Sequence, residues 1–268
     1  MENLNNVEQK ETPEEHLAKI DRLNEQLKNE EKKEKSGWKG FFWAILLALA
    51  IRSFAFEPYN IPSSSMLPSL LIGDYLFITK FDYGYSRHSF PLSLPIIPKG
   101  RVFYVEPKQG DVVVFKKPPE NKVDYIKRII GLPGDTVQMK SGQLYINGDI
   151  VPKKELGEEY WDTEGGKNHY TRYLETLPNG VEHLIYELGD NTKYDETEEV
   201  FVPQGYFFVM GDNRDNSLDS RYFGLVPMEN LEGKARIIFY STNGNGLFFQ
   251  FWKWSEFLRL NRFFTDIK

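Results

Sequence analysis

Gln143-Leu144-Tyr145-Ile146-Asn147-Gly148-Asp149-Ile150-Val151 consists of two short apolar runs separated by Asn-Gly. Asn147 and Gly148 supply the positive φ angles that a two-residue turn requires, so the stretch predicts a β-hairpin. Outward from it the texture repeats. Residues 75–81, 111–115, 125–130, 136–139, 206–210 and 234–240 are short runs rich in Val, Ile, Phe and Tyr, bounded by Gly, Pro and Asp. The chain after Pro58 therefore reads as mainly β. Residues 153–199 are polar and turn-rich, with Gly165-Gly166, Pro178-Asn179-Gly180 and Gly189-Asp190-Asn191, and read as an inserted polar subdomain or set of hairpins on the core sheet.

Composition narrows the function classes. The 268 residues carry 33 Lys+Arg against 39 Asp+Glu, a net charge of -6, which argues against nucleic acid as a partner. A chain that is 40% hydrophobic and 15% aromatic is not globally disordered. With no cysteine there is no disulfide, no thiolate metal site and no cysteine nucleophile. Four histidines, His16, His88, His169 and His183, do not suggest a metal site, and no cofactor is implied.

The first 37 residues are dense in charge and read as a solvated, partly helical tail. Thr12-Pro13-Glu14-Glu15 is a helix start, after which Leu17, Ile20, Leu23 and Leu27 recur at helical spacing. Two heptads are too few to specify a coiled coil, so a marginal charged helix is expected. At Trp38 an apolar run begins, and residues 38–56 would rise about 28 Å as a helix, close to the roughly 30 Å of a bilayer core. A single transmembrane helix is the expectation, with Arg52 snorkelling at one end and Trp38 and Lys39 at the other. Lys28, Lys32, Lys33, Lys35 and Lys39 precede it, which places the N-terminus in the cytosol and everything after Phe56 outside. A cleaved leader, for which Ala48-Leu49-Ala50 matches the small-x-small pattern, and a buried soluble helix are the alternatives. At the other end, residues 247–268 interleave Phe and Trp with Lys253, Arg259, Arg262 and Lys268. They read as a membrane-interface tail or as aromatics closing the core.

Three segments carry candidate chemistry. The first is the serine-rich turn Ile61-Pro62-Ser63-Ser64-Ser65-Met66-Leu67-Pro68-Ser69-Leu70. The second is Tyr125-Ile126-Lys127-Arg128-Ile129-Ile130, where Tyr125, Lys127 and Ile129 share one strand face. Apolar flanks disfavour the ammonium form of Lys127, and a lysine must be shifted down by several pH units before it can act as a base near neutrality. The third is the polar loop from Gly211 to Gly224, directly after an apolar strand. It lacks the Gly and distal Glu of a calcium loop and is expected to satisfy itself, with Asp219 and Arg221 as an ion pair.

Together these segments, with Gly110-Asp111-Val112-Val113-Val114-Phe115 between the first two, resemble bacterial type I signal peptidase, a family of membrane-anchored Ser-Lys endopeptidases. Order and spacing agree over roughly 52–240. The resemblance implies a signal-peptidase-like β-sheet catalytic core over 57–152 and 200–246, interrupted by the 153–199 insert. It also implies removal of N-terminal signal peptides after small-x-small sites, with secretory preproteins as substrates, the lipid bilayer as support and the export translocon nearby. Ser65 would be the nucleophile and Lys127 its general base. Ser63 and the Ser65 amide would form the oxyanion hole, Ser217 would orient the lysine, and Asp219 and Arg221 would support the loop. Tyr59, Ile61, Met66, Leu70, Tyr125 and Ile126 would line the pockets for the small side chains. Ser64 and Ser69 depart from the Gly and Thr common in the family, without touching this chemistry.

Other serine chemistries fit less well. Ser36-Gly37-Trp38-Lys39 matches an S-x-x-K string but lacks its S-D-N and K-T-G companions. A self-cleaving cytosolic repressor would have a DNA-binding head here. The non-enzyme alternative is a membrane-anchored β-rich binding or assembly protein, which would tolerate loss of Ser65 and Lys127.

Overall fold

The apolar runs pair because each offers alternate side chains to a shared interior. The computed structural model describes residues 13–90, 93, 97, 99–163, 166–189, 192–243 and 257–267. Helix α1 (Pro13–Phe54) is followed by strands β1 (Phe56–Asn60), β2 (Asp74–Thr79), β3 (Val112–Lys116), β4 (Asp124–Gly131), β5 (Thr136–Lys140), β6 (Gln143–Ile146) and β7 (Asp149–Ile150). Next come β8 (Lys153–Thr163), β9 (Gly166–Thr176), β10 (Glu182–Glu187), β11 (Val200–Phe201) and β12 (Tyr206–Met210). A short helix α2 (Ser220–Phe223), β13 (Val226–Pro227), β14 (Leu231–Ser241) and β15 (Thr265–Asp266) complete the order.

The central sheet runs β1-β2-β14-β3-β4-β12-β13, with β15 added to β14. Strand β14 begins at Leu231, earlier than its apolar run suggests, and register shifts let its first part pair with β3 and its remainder with β2. The alternation of β3 splits the core. Val112 and Val114 pack with Ile61, Met66, Leu70, Leu76 and Ile78 on one side. Val113 and Phe115 pack with Ile129, Phe207 and Val209 on the other. In the second sheet, β11-β5-β6-β7, Ile146 pairs with Asp149 across Asn147 and Gly148, which hold φ of 56° and 83°. This is the two-residue hairpin.

The polar stretch forms a third sheet, β10-β9-β8, with long partners in β8 and β9. The chain divides into two units, Met1–Ala50 and Ile51–Lys268, so this sheet belongs to the same compact body as the rest of the β structure. Buried Arg214 explains why: it forms a bidentate pair with Glu175 of β9, at 2.8 and 2.5 Å.

Helix α1 starts at Pro13, as the N-terminal pattern suggested, but continues unbroken to Phe54. Among the described residues no helix is long and apolar enough to cross a membrane. Lys39 and Arg52 close an uninterrupted apolar run, Phe41 to Ile51, that rises only about 16 Å. Arg52 pairs with Glu57 at 2.6 Å. Much of the aromatic tail, 244–256, lies outside the described residues. In the part that follows, Phe257 is buried, β15 pairs with β14, and Arg262 holds Asp74 at 2.6 Å while donating to the Ser69 carbonyl at 2.9 Å. This portion closes the sheet, leaving Leu260 and Phe264 exposed.

Candidate active site

The serine turn leaves β1 at Pro62 and is pulled onto the core by Met66, Leu67 and Leu70, all buried. Its backbone closes through Leu67 N–H to the Ser64 carbonyl (3.1 Å) and Leu70 N–H to the Met66 carbonyl (2.9 Å). The polar loop after β12 grips it. Asn213 donates from its backbone to the Ser65 carbonyl and from its side chain to the Ser64 carbonyl, both at 3.1 Å, and Asn216 donates to Ser64 Oγ at 2.9 Å. Gly211 lies under this contact. A Cβ there would sit 2.3 Å from Ser217 Oγ and 2.4 Å from the Ser65 carbonyl oxygen, so only glycine lets loop and turn approach this closely.

Lys127 reaches the turn from β4. Its Nζ stands 2.6 Å from Ser65 Oγ and 2.8 Å from the Ile126 carbonyl, which accepts from it. The residue is 3% exposed. Burial lowers its pKa to about 8, against the pull of Asp219 and Asp212, which favour the ammonium. At pH 7 about a tenth of such an amine is neutral, and a neutral amine at this contact can accept a proton from Ser65 Oγ. Ser63 Oγ lies 3.4 Å from Ser65 Oγ.

The lysine's neighbour Arg128 joins the three segments. Fully buried, it forms a bidentate pair with Asp212 at 2.8 and 2.7 Å, donates to the Gly110 carbonyl at 2.8 Å and reaches Ser69 Oγ at 3.4 Å. Asp219 and Arg221 form a second buried pair at 2.9 Å. Asp219 also accepts from Gly211 N–H (3.0 Å) and caps α2, and Arg221 donates to the Arg214 carbonyl (2.6 Å). Burial alone would raise the Asp219 carboxyl, but Arg221 outweighs it and holds it low. Arg214, anchored by Glu175, makes the outer end of the same frame. Among the described residues no group of three or more His, Asp or Glu is placed to hold a metal ion.

Beside Ser65 and Lys127 opens a pocket of about 360 Å³ with mostly apolar walls. Of the six residues expected to line it, Tyr59, Ile61, Tyr125 and Ile126 do; Met66 and Leu70 do not. Their side chains face the core beneath the turn, which is what holds Ser65 in place. Ser217 also differs from expectation. Its buried hydroxyl makes no hydrogen bond to Lys127 and has no partner of good geometry, its influence falling on Asp219 instead. Sequence reading passed over Val114, Val123, Asp124, Asn216 and Leu218 as lining. Val114 had a signal available, since it pairs directly with Ile126 across β3 and β4.

The sequence model described as signal peptidase, peptidase S26, matches residues 36–240. A signal peptidase I of Rickettsia conorii is 42% identical over 257 residues, covering 89% of this chain and 95% of the relative. Those of Rickettsia canadensis (41%, 86% and 92%) and Rickettsia prowazekii (40%, 89% and 96%) are similar to the same extent. A crystal structure of a signal peptidase I from Enterococcus faecalis is 29% identical and covers 48% of this chain and 97% of its own, with a TM-score of 0.29.

Proposed function

Because the chain belongs to the signal peptidase family, peptidase S26, it is a serine endopeptidase that removes signal peptides, and we propose that Ser65 and Lys127 are its catalytic pair. The observation that carries the assignment is the 2.6 Å contact between Lys127 Nζ and Ser65 Oγ at the foot of an apolar pocket.

In this reading neutral Lys127 takes the hydroxyl proton as Ser65 Oγ attacks the scissile carbonyl. The Ser65 amide and the Ser63 hydroxyl receive the developing oxyanion, worth about 3 to 4 kcal/mol per donor. The lysine ammonium then passes its proton to the departing amine, leaving an acyl-enzyme on Ser65. Water, deprotonated by the same amine, attacks the ester, and collapse of the second tetrahedral intermediate returns the proton to Ser65. Asp219 and Arg221 support the loop. Ser217 lies against Gly211 and acts by packing between loop and turn.

The preprotein enters the pocket as an extended strand, its small side chains against Tyr59, Ile61, Tyr125 and Ile126. Membrane attachment through 38–56 belongs to the same proposal: Trp38, Phe41, Phe42, Trp43 and Leu47 are exposed on α1, and lipid is the phase that suits such a surface. The lysine-rich residues before it favour, by the positive-inside rule, a cytosolic N-terminus and a catalytic body outside, where translocated preproteins emerge.

The test is cleavage of a secretory preprotein by the detergent-solubilised chain, with Ser65→Ala and Lys127→Ala in parallel and the new N-terminus sequenced. A cut after a small-x-small site, lost in both variants, is expected. Cleavage that persists in either variant would sink the assignment of that residue.

A further inference from the structure

Tyr59 and Asp124 form a partition. On one side lies the pocket containing Ser65 and Lys127; on the other is a polar cavity of about 120 Å³ whose remaining walls include Glu232, Lys116, His88 and Arg52. The partition is tied from behind. Tyr59 donates its hydroxyl to Glu232 Oε2, and Lys116 Nζ spans Glu232 Oε1 at 3.2 Å and Asp124 Oδ1 at 2.5 Å. Glu232 is 3% exposed and sits where the pairing of β14 with β3 shifts register, between Leu231 and Gly233.

Filling the core does not call for a carboxyl at this point, since Leu231, Ala235 and Ile238 of the same strand do so with apolar side chains. Burial and the nearby Asp124 push the Glu232 carboxyl up to about 7, with Tyr59 and Lys116 pulling the other way. Glu57, paired with Lys80 and Arg52, adds its charge from β1. A group so costly to bury is explained by what it holds.

Its place along the pocket follows from strand geometry. Asp124 precedes Lys127 by three residues on β4, about 10 Å along the strand. In an extended substrate, alternate side chains lie about 7 Å apart on one face. With the residue before the cut at Ser65, a step of about 7 Å, shorter than the ~10 Å to Asp124, carries the small side chain two positions upstream toward Tyr59 and Asp124, which line the same pocket.

We propose that Glu232 is a positioning residue that acts through Tyr59 to set the depth of the subsite for that upstream small side chain, keeping the polar cavity closed off from the pocket. The proposal rests on the reading of the pocket as the signal-peptide site. Released from Glu232, the Tyr59 ring swings toward the cavity, the subsite deepens and larger side chains fit.

The experiment uses the full chain in detergent and two preproteins that differ only at the upstream position, Ala in one and Leu in the other, with kcat and KM read separately. In Glu232→Ala the preference for Ala over Leu in kcat/KM falls about tenfold, the size of effect a pocket gains or loses with a few methylenes. The change comes from a lower KM for the Leu substrate, while kcat on the Ala substrate is kept. Glu232→Gln, whose amide oxygen still accepts from the Tyr59 hydroxyl, restores the preference. Tyr59→Phe lowers the preference without touching the carboxyl and decides the matter if Glu232→Ala does not fold. An unchanged preference in Tyr59→Phe or in folded Glu232→Ala, or a kcat loss equal on both substrates, overturns the proposal. A wild-type chain that cuts neither preprotein overturns the peptidase reading beneath it.

Discussion

Replacing Lys127 by methionine removes a charge whose burial the fold resists. The pKa of Lys127 stands at about 8 against an ordinary 10.5 because burial disfavours the ammonium more than Asp219 and Asp212 favour it. Between those two values the unfolded chain holds a proton that the folded chain lacks, so wild-type stability rises with pH there, and the penalty is complete below about pH 8. At about 1.4 kcal/mol for each pH unit, the whole penalty is about 3 kcal/mol. Methionine has similar length and no charge. Lys127→Met is therefore expected to be the more stable protein at about pH 6.5 and to lose that advantage by about pH 10.5. For a body of this size the gap in Tm closes by about 6 to 12 °C. Thermal unfolding of both proteins in detergent across that range measures it. The same deprotonation arms the base, so wild-type kcat/KM rises with pH and bends near 8. A Tm gap constant across the range, or a rate inflection more than about one pH unit from the stability inflection, would refute the reasoning.

Gly211→Ala places a Cβ 2.4 Å from the Ser65 carbonyl oxygen, and relief requires the serine turn to retreat by about 1 Å. A loss in kcat of about 100-fold is expected from that displacement, and activity within twofold of wild type would refute it. Glu175→Ala leaves Arg214 buried and unpaired; a loss of about 3 to 5 kcal/mol in denaturant unfolding is expected, although the residue lies far outside the catalytic motifs. Arg128→Met removes the bidentate partner of Asp212 and is expected to cost a similar amount and to abolish preprotein cleavage.

What was legible in the sequence is what short-range chemistry decides. Asn147-Gly148 specifies its hairpin because both positive φ angles fall within the turn itself. Lys127 was legible as a desolvated amine because its flanking residues and strand period are local. The direction taken by Met66 and Leu70 was not, since whether they face pocket or core depends on how the turn closes through Ser64 and Met66 and on the grip of Asn213. Ser217 sits where Gly211 and Asp219 leave it, a consequence of loop geometry and not of residue type. The 153–199 stretch was legible only as an inserted subdomain or set of hairpins, and its tie to the loop after β12 was not, because its polar composition hides Glu175, one carboxylate among many until Arg214 is seen against it. Glu232 gave no sign at all, its partner Tyr59 being 173 residues away.

The Arg128 clasp has a meaning for when this protease becomes dangerous. Its contacts to Ser69 and Asp212 span 59 and 84 residues, and the Ser65–Lys127 contact spans 62. Each must close a long loop before any of them is rewarded, so the proposed nucleophile and base meet only after distant stretches of chain have found one another. A half-made chain carries a serine and a lysine but no weapon. Folding itself serves as the safety catch.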